Sequence, residues 1–238
     1  MTMLAKVIDT KEVAKGTLQF MLKLPEKITF NPGQYLLTSL PTLVYPDPRG
    51  NKRFFSIVSV EGTKNVDDIS ITTRIRDSGF KKTLVEQGKT QGININRIMG
   101  DFVLPEDISI PLVFIAGGIG ITPFITMIRY VIKHNTTHNI TLLYSNRDRE
   151  STAFFDELQQ ISKKHSNIKV IFIMTQDDEW TGEKRRISEE LINELIPDFL
   201  KKTFMIVGPP AMNDVVEESL QKLSIPQDQI KKENFSGY

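Results

Sequence analysis

Three short runs in this 238-residue sequence carry residue types at spacings able to do chemistry. The first is Phe114-Ile115-Ala116-Gly117-Gly118-Ile119-Gly120-Ile121-Thr122-Pro123, a glycine cluster between an apolar run and a segment of helical pattern. Glycine accepts positive φ and lets backbone approach a phosphate closely, while a helix start offers free N–H groups and the positive end of its dipole. The third glycine of G-x-G-x-x-G is missing, and Thr122-Pro123 reads instead as an N-cap with proline at the first helical position. A dinucleotide diphosphate suits this geometry, and so does a purely structural turn. The second run is Val207-Gly208-Pro209-Pro210-Ala211-Met212, again between an apolar strand and a helical segment. A tight turn would explain it alone. Two glycine-bearing turns at the carboxyl ends of parallel strands, however, share the sheet edge where open α/β folds bind ligands.

The third run, Lys52-Arg53-Phe54-Phe55-Ser56-Ile57-Val58-Ser59, follows Gly33-Gln34-Tyr35 in the first half of the chain. Strand alternation puts Arg53, Phe55 and Ile57 on one face, and Phe54 and Ser56 on the other. An arginine fork can hold a diphosphate, an aromatic ring can stack on a tricyclic ring, and a serine hydroxyl can reach a ring nitrogen. A core strand with one surface arginine fits the same residues.

The first hundred residues read as β structure, with strands expected at Thr17 to Leu22, Tyr35 to Leu40, Phe54 to Val60 and Ile69 to Ile75. Turn chemistry at Asn31-Pro32-Gly33, Asp47-Pro48-Arg49-Gly50 and Asp77-Ser78-Gly79 separates them, which suggests an antiparallel barrel. Beyond about Pro105 apolar runs alternate with amphipathic segments. Leu112 to Ala116, Ile140 to Tyr144, Ile168 to Met174 and Phe204 to Val207 read as buried strands. Pro123 to Lys133, Ala153 to His165, Ser188 to Leu195 and Met212 to Leu223 read as helices. The expectation is a two-domain chain: a Greek-key β-barrel over 1–106 and a parallel α/β domain over 107–238.

Thirty basic and twenty-nine acidic residues leave a formal charge of +1, without the footprint of a nucleic-acid binder. The absence of cysteine excludes disulfides, thiolate zinc sites, a cysteine nucleophile and cysteine-ligated clusters from this chain, so redox chemistry would need an organic cofactor. His134 and His138 have the i, i+4 spacing of a metal pair, but no neighbour completes a ligand set, and with His165 they read as solvated. No metal is expected. Lys6, Asp9 and Lys11 precede any long apolar run, and no stretch of about 18 apolar residues offers a membrane span. A soluble, cytoplasmic protein is expected.

Arg-x-Phe-Ser, then Gly-Gly-x-Gly-x-Thr-Pro, then Gly-Pro-Pro-x-Met, in this order and across nearly the whole chain, closely resembles the ferredoxin-NADP reductase superfamily. The resemblance implies an FAD-binding barrel and an NAD(P)-binding domain. It places Arg53 on the FAD diphosphate, Phe55 against the isoalloxazine with Phe54 adjoining, and Ser56 near the ring's N5. Arg74 to Thr83 corresponds to the loop completing the diphosphate site, which brings in Thr73, Gly79, Lys82 and Thr83 as cofactor-binding positions; many relatives carry serine where Lys82 stands. Gly117, Gly118, Gly120, Thr122 and Pro123 fall on the nicotinamide nucleotide's phosphate site, and Gly208, Pro209 and Met212 beside the nicotinamide. Plant-type members usually have a cysteine where this chain has Val207. Some relatives stack a C-terminal aromatic on the flavin, a role open to Tyr238 or Phe235. Ser56, Phe55 and Tyr238 are the residues expected at the reacting ring.

At the end of the second α/β strand, Ser145 and Arg147 suit a ribose 2′-phosphate and lean the choice towards NADPH, although the adjacent Asp148 is compatible with NADH. The resemblance implies hydride transfer from NAD(P)H to flavin, then electron transfer to a ferredoxin, a flavodoxin, an oxygenase component or a small molecule. Lys52, Arg53, Arg74, Arg76, Lys81 and Lys82 form a basic neighbourhood that could steer an acidic protein or serve the FAD phosphates. Two alternatives stand beside this: a reductase using free flavin as substrate, and a non-catalytic nucleotide-binding subunit.

Overall fold

The computed structural model describes residues 2–58 and 63–234. By its contacts the described chain divides into two compact units, one holding the described residues up to 104 together with Thr122–His134, the other holding Pro105–Ile121 and residues 135–234.

In the first unit β1 (Met3–Ala14), β2 (Thr17–Ile28), β3 (Tyr35–Ser39), β4 (Lys52–Ser56) and β5 (Val66–Arg74) precede helix α1 (Gly79–Gln91) and β6 (Ile93–Met99). The strands form one antiparallel sheet in the order β4-β3-β6-β1-β2-β5. Its ends meet where Val58, just past β4, exchanges hydrogen bonds of 2.8 and 2.7 Å with Ser70 of β5, closing the barrel. Closure removes the exposed edges. Alternate residues fill the interior: Phe20, Leu22, Leu36, Phe55, Ile71 and Ile95 are buried there with Phe80 and Leu84 of α1.

Helix α1 departs from the expected all-β half. Its sequence, GFKKTLVEQGKTQ, has too few apolar positions to display a helical stripe, and it anchors through Phe80, Thr83, Leu84 and Gly88. The Ser78 hydroxyl caps it, accepting from the Lys81 N–H at 3.3 Å.

The second unit contains β7 (Leu112–Gly117), β8 (Ile140–Asn146), α3 (Phe155–Lys164), β9 (Ile168–Met174), α4 (Glu189–Leu195), β10 (Thr203–Gly208), α5 (Pro210–Lys222) and β11 (Ile230–Asn234). Helix α2 (Ile121–Lys133) lies between β7 and β8 in the chain, and from Thr122 onward it groups with the first unit. The parallel sheet runs β11-β10-β7-β8-β9. The chain winds outward from β7 through β8 to β9, then crosses back to place β10 on the other side of β7. That reversal makes the carboxyl ends of β7 and β10 the topological switch point, where such sheets bind ligands. Short branched residues fit the strands: Val113, Ile115, Leu143, Ile173 and Ile206 pack beneath α4 and α5.

The expected β/α alternation is present. The β11 segment, Ile-Lys-Lys-Glu-Asn, is a strand that no apolar pattern marks. Helix α2 starts at Ile121 after a 3-10 turn over Gly118–Gly120, so Thr122 and Pro123 lie within its first turn instead of at cap and first position. His138, expected in solvent, is buried: its Nδ1 lies 2.9 Å from the Thr136 hydroxyl and its Nε2 2.8 Å from the Pro105 carbonyl. Among the described residues no cluster of His, Asp or Glu could hold a metal ion, and no helix is long and apolar enough to cross a membrane.

Candidate functional site

The barrel's candidate site is built on β4 and the amino end of α1. Leu36 stands opposite Phe55 and Thr38 opposite Arg53 across the β3–β4 ladder, and both β3 residues are fully buried, so Arg53 and Phe55 are committed to the inner face. The Phe55 ring packs in the core with its centroid 6.0 Å from that of Phe80. It is a core residue, in contrast to the expectation that it lies against a flavin. The outer face carries Phe54, 60% exposed, with its ring edge-on to Tyr35 at 5.5 Å. Ser56 shares that face and accepts a 3.1 Å hydrogen bond from the Thr122 hydroxyl, which leaves its own O–H to donate elsewhere.

Arg53 points to the start of α1, where three donors converge on one oxygen. Asp47 Oδ2 accepts from the Ser78 hydroxyl at 2.8 Å and from the Phe80 N–H at 2.9 Å, and lies 2.6 Å from Arg53 Nη2. Both side chains of this ion pair are buried. Arg53 Nη1 donates to the carbonyls of Arg49, Gly50 and Lys52, whereas its Nε and Nη2 make no aligned hydrogen bond, so the Nη2 contact with Asp47 is Coulombic. Burial works to raise the Asp47 pKa, but the Phe80 N–H, the Ser78 hydroxyl, the Arg49 N–H and Arg53 together hold the carboxyl well below the usual range.

Lys81 is buried alongside, its ammonium donating to the Arg74 carbonyl at 2.8 Å. Desolvation, then the charges of Arg49, Arg76, Arg53 and Arg74, push its pKa down to about 8. Arg49, Arg53, Arg74 and Arg76 thus all lie near enough to Lys81 to disfavour its charge, and Arg53 is the one paired with Asp47.

Three other positions expected on the diphosphate, Gly79, Lys82 and Thr83, meet the chain's own residues 42–49. The Thr83 hydroxyl accepts from the Val44 and Tyr45 N–H groups at 3.2 and 3.3 Å. The Lys82 ammonium lies 3.9 Å from the centre of the Tyr45 ring. A Cβ at Gly79 would stand 2.2 Å from the Pro46 carbonyl oxygen. Thr73 is buried in β5 opposite Leu18.

In the second unit the switch point is assembled by glycines packed on its two turns. A Cβ at Gly117 would stand 2.4 Å from Met212 Sδ and one at Gly120 2.2 Å from the Val207 carbonyl oxygen. Gly118, at φ +54°, turns the chain into the left-handed region, and its carbonyl accepts from the buried Tyr144 hydroxyl at 3.0 Å. The expected residues Gly117, Gly118, Gly120, Gly208, Pro209 and Met212 are therefore brought together, and Gly117 and Gly120 are required by protein packing. Ser145 is half-buried and Arg147 exposed at the end of β8. Neighbouring Asn146 is buried with neither amide atom hydrogen-bonded.

No sequence pattern marks Glu233, on β11 opposite Val207. Its Oε2 is buried without a partner, and desolvation pushes its pKa up to about 7. Asp47 was equally hidden, because an acid in a proline-rich turn is an ordinary turn residue. Phe235 and Tyr238 lie outside the described residues.

Residues 114–218 match the family model described as Oxidoreductase NAD-binding domain. The chain is 27% identical, over 97% of its length, to a flavohemoprotein of Oceanobacillus iheyensis, and 21% identical over 93% to the glycine betaine monooxygenase reductase subunit of Chromohalobacter salexigens. It spans only 58% and 60% of those proteins. Among solved structures, a ferredoxin NADP+ reductase from Neisseria gonorrhoeae with bound FAD and NADP superimposes with a TM-score of 0.78, covering 98% of both chains at 22% identity. The barrel, the switch-point sheet and these matches together give the chain the two-domain fold of the ferredoxin-reductase type, with residues 114–218 matching the oxidoreductase NAD-binding domain.

Proposed function

We propose that this chain is an NAD(P)H-dependent, FAD-binding reductase that passes electrons to a protein acceptor. One observation carries the reading: the same chain holds an anion cradle at a helix start in a barrel and a glycine-built switch point within a matched oxidoreductase NAD-binding domain. A pure binding module has no use for both. FAD fits the first unit in chemistry: Arg53, Ser78 and the Phe80 N–H would hold its diphosphate, as the convergence on Asp47 demonstrates for an anion.

Bound flavin would supply hydride acceptance from the nicotinamide and release of electrons one at a time. The chain's residues would position and tune it. Phe54 offers an exposed ring face, and the Ser56 hydroxyl, already accepting from Thr122, has its proton available for a ring nitrogen. Gly117, Gly118, Gly120, Thr122 and Pro123 would admit the nicotinamide nucleotide's phosphates, with Gly208, Pro209 and Met212 beside its ring. Ser145 and Arg147 would favour NADPH through the 2′-phosphate.

For the acceptor, the reductase subunit among the relatives favours an oxygenase component over a ferredoxin or flavodoxin. Purified protein supplied with FAD should oxidise NADPH continuously only when a one-electron acceptor protein is present. Failure to oxidise either NADPH or NADH with FAD bound would overturn the reading. Use of free flavin as substrate is the second reading, favoured by the filled state of the cradle; flavin lost on gel filtration would support it.

A further inference from the structure

We infer that Asp47 is an internal occupant of the flavin-diphosphate subsite, and that residues 42–49, which carry it, must leave α1 before a flavin dinucleotide can seat. The inference rests on the flavin-binding reading above and adds to it a competitor supplied by the chain itself.

The donor geometry is that of a phosphate site. A hydroxyl, a helix-start N–H and a guanidinium meet at Asp47 Oδ2. The carboxylate does not exhaust them: buried Arg53 keeps its Nε without a hydrogen bond. Charge is also to hand for a larger anion, since Arg53 is paired with Asp47 and the buried Lys81 lies close to Arg53, whereas a diphosphate carries at least two negative charges. Asp47 is therefore the smaller of two anions that fit.

The segment is held in a way that lets it be exchanged. Its contacts run along α1 from end to end: Thr42 with the Gln91 amide, Val44 and Tyr45 N–H with Thr83, the Tyr45 hydroxyl with Glu86, and Pro46 over Gly79. All but the last use α1 side chains, and none belongs to a backbone ladder; Pro46 and Pro48 have no N–H to give. Thr42, Val44, Pro46, Pro48 and Arg49 are exposed, and the half-buried Leu43, packed against the barrel core, and Tyr45 are the apolar surface that peeling the segment away uncovers. Only the Asp47 carboxylate is deeply buried, and a phosphate oxygen can take over each of its hydrogen bonds.

Competition has a signature that a fixed structural acid lacks. In Asp47→Asn the cradle loses its charged occupant, so FAD should bind about tenfold or more tightly, read from quenching of flavin fluorescence, while riboflavin, which has no phosphate, binds unchanged. Asp101→Asn, at an exposed acid elsewhere on the first unit, is the control. Unchanged or weaker FAD binding by Asp47→Asn overturns the inference and leaves the flavin reading standing. No FAD binding by either protein overturns both. Should the variant fail to fold, hydrogen exchange on the wild-type chain decides: FAD, and ADP alone, should accelerate exchange of the Thr42, Val44, Tyr45 and Arg49 amides and protect that of Phe80. Protection of the 42–49 amides on FAD binding refutes displacement.

Discussion

Glu233→Gln should stabilise the second unit at alkaline pH and leave it unchanged at acid pH. Burial without a partner raises the Glu233 pKa from 4.5 to about 7, so the folded state holds its proton where the unfolded chain has released it. The sign follows: a carboxyl with a raised folded pKa binds more protons folded than unfolded, so stability falls as pH rises from the unfolded value and the loss is complete above the folded one. A shift of about 2.5 units at about 1.4 kcal/mol each sets an upper bound near 3.5 kcal/mol, and partial solvent access brings the expected effect to roughly 1–3 kcal/mol. Glutamine keeps the shape and removes the charge. The chain's single tryptophan, Trp180, lies in the same unit, so its fluorescence during urea unfolding reports the relevant transition. Coincident curves for the two proteins at about pH 4, with the variant more stable at about pH 8, are expected. A difference that is the same at both pH values would refute the reasoning, because it would reflect packing and not ionisation.

Phe54→Ala should weaken flavin binding while costing less than about 1 kcal/mol of stability, whereas Phe55→Ala should cost about 3–5 kcal/mol, a contrast that thermal unfolding with and without FAD will read. Gly120→Ala drives a Cβ to 2.2 Å from the Val207 carbonyl oxygen and should destabilise the second unit by about 1–3 kcal/mol, measured again by Trp180 fluorescence. Arg147→Ala should raise the KM for NADPH about tenfold more than that for NADH in steady-state assays; equal effects would remove the 2′-phosphate role.

The second unit was the more legible half. Its β7 and β10 are apolar runs ending in glycine, and the sheet order makes a ligand site of the two glycine turns, because both end strands adjacent at the switch point. What the turns hid was the reason for their glycines: Gly117 and Gly120 are forced by Met212 and Val207, contacts that lie across the sheet and leave no local trace. In the barrel, alternation along β4 separated Arg53 and Phe55 from Phe54 and Ser56, but alternation does not say which face is inside. That was fixed by Leu36 and Thr38 on β3, a non-local pairing. Helix α1 escaped for a related reason. Its buried face includes a lysine, a threonine and a glycine, tolerated because Lys81 finds the Arg74 carbonyl and Thr83 the backbone of residues 44 and 45. Asp47 became visible only when the fold brought Arg53, Ser78 and Phe80 to one point.

The central claim is that one chain accepts hydride from a pyridine nucleotide onto a flavin held by its barrel. Anaerobic mixing of the FAD-loaded protein with NADPH and, separately, NADH, followed by flavin absorbance, tests it most directly. The account predicts bleaching with both and faster with NADPH. A flavin that stays bound yet is bleached by neither would contradict it.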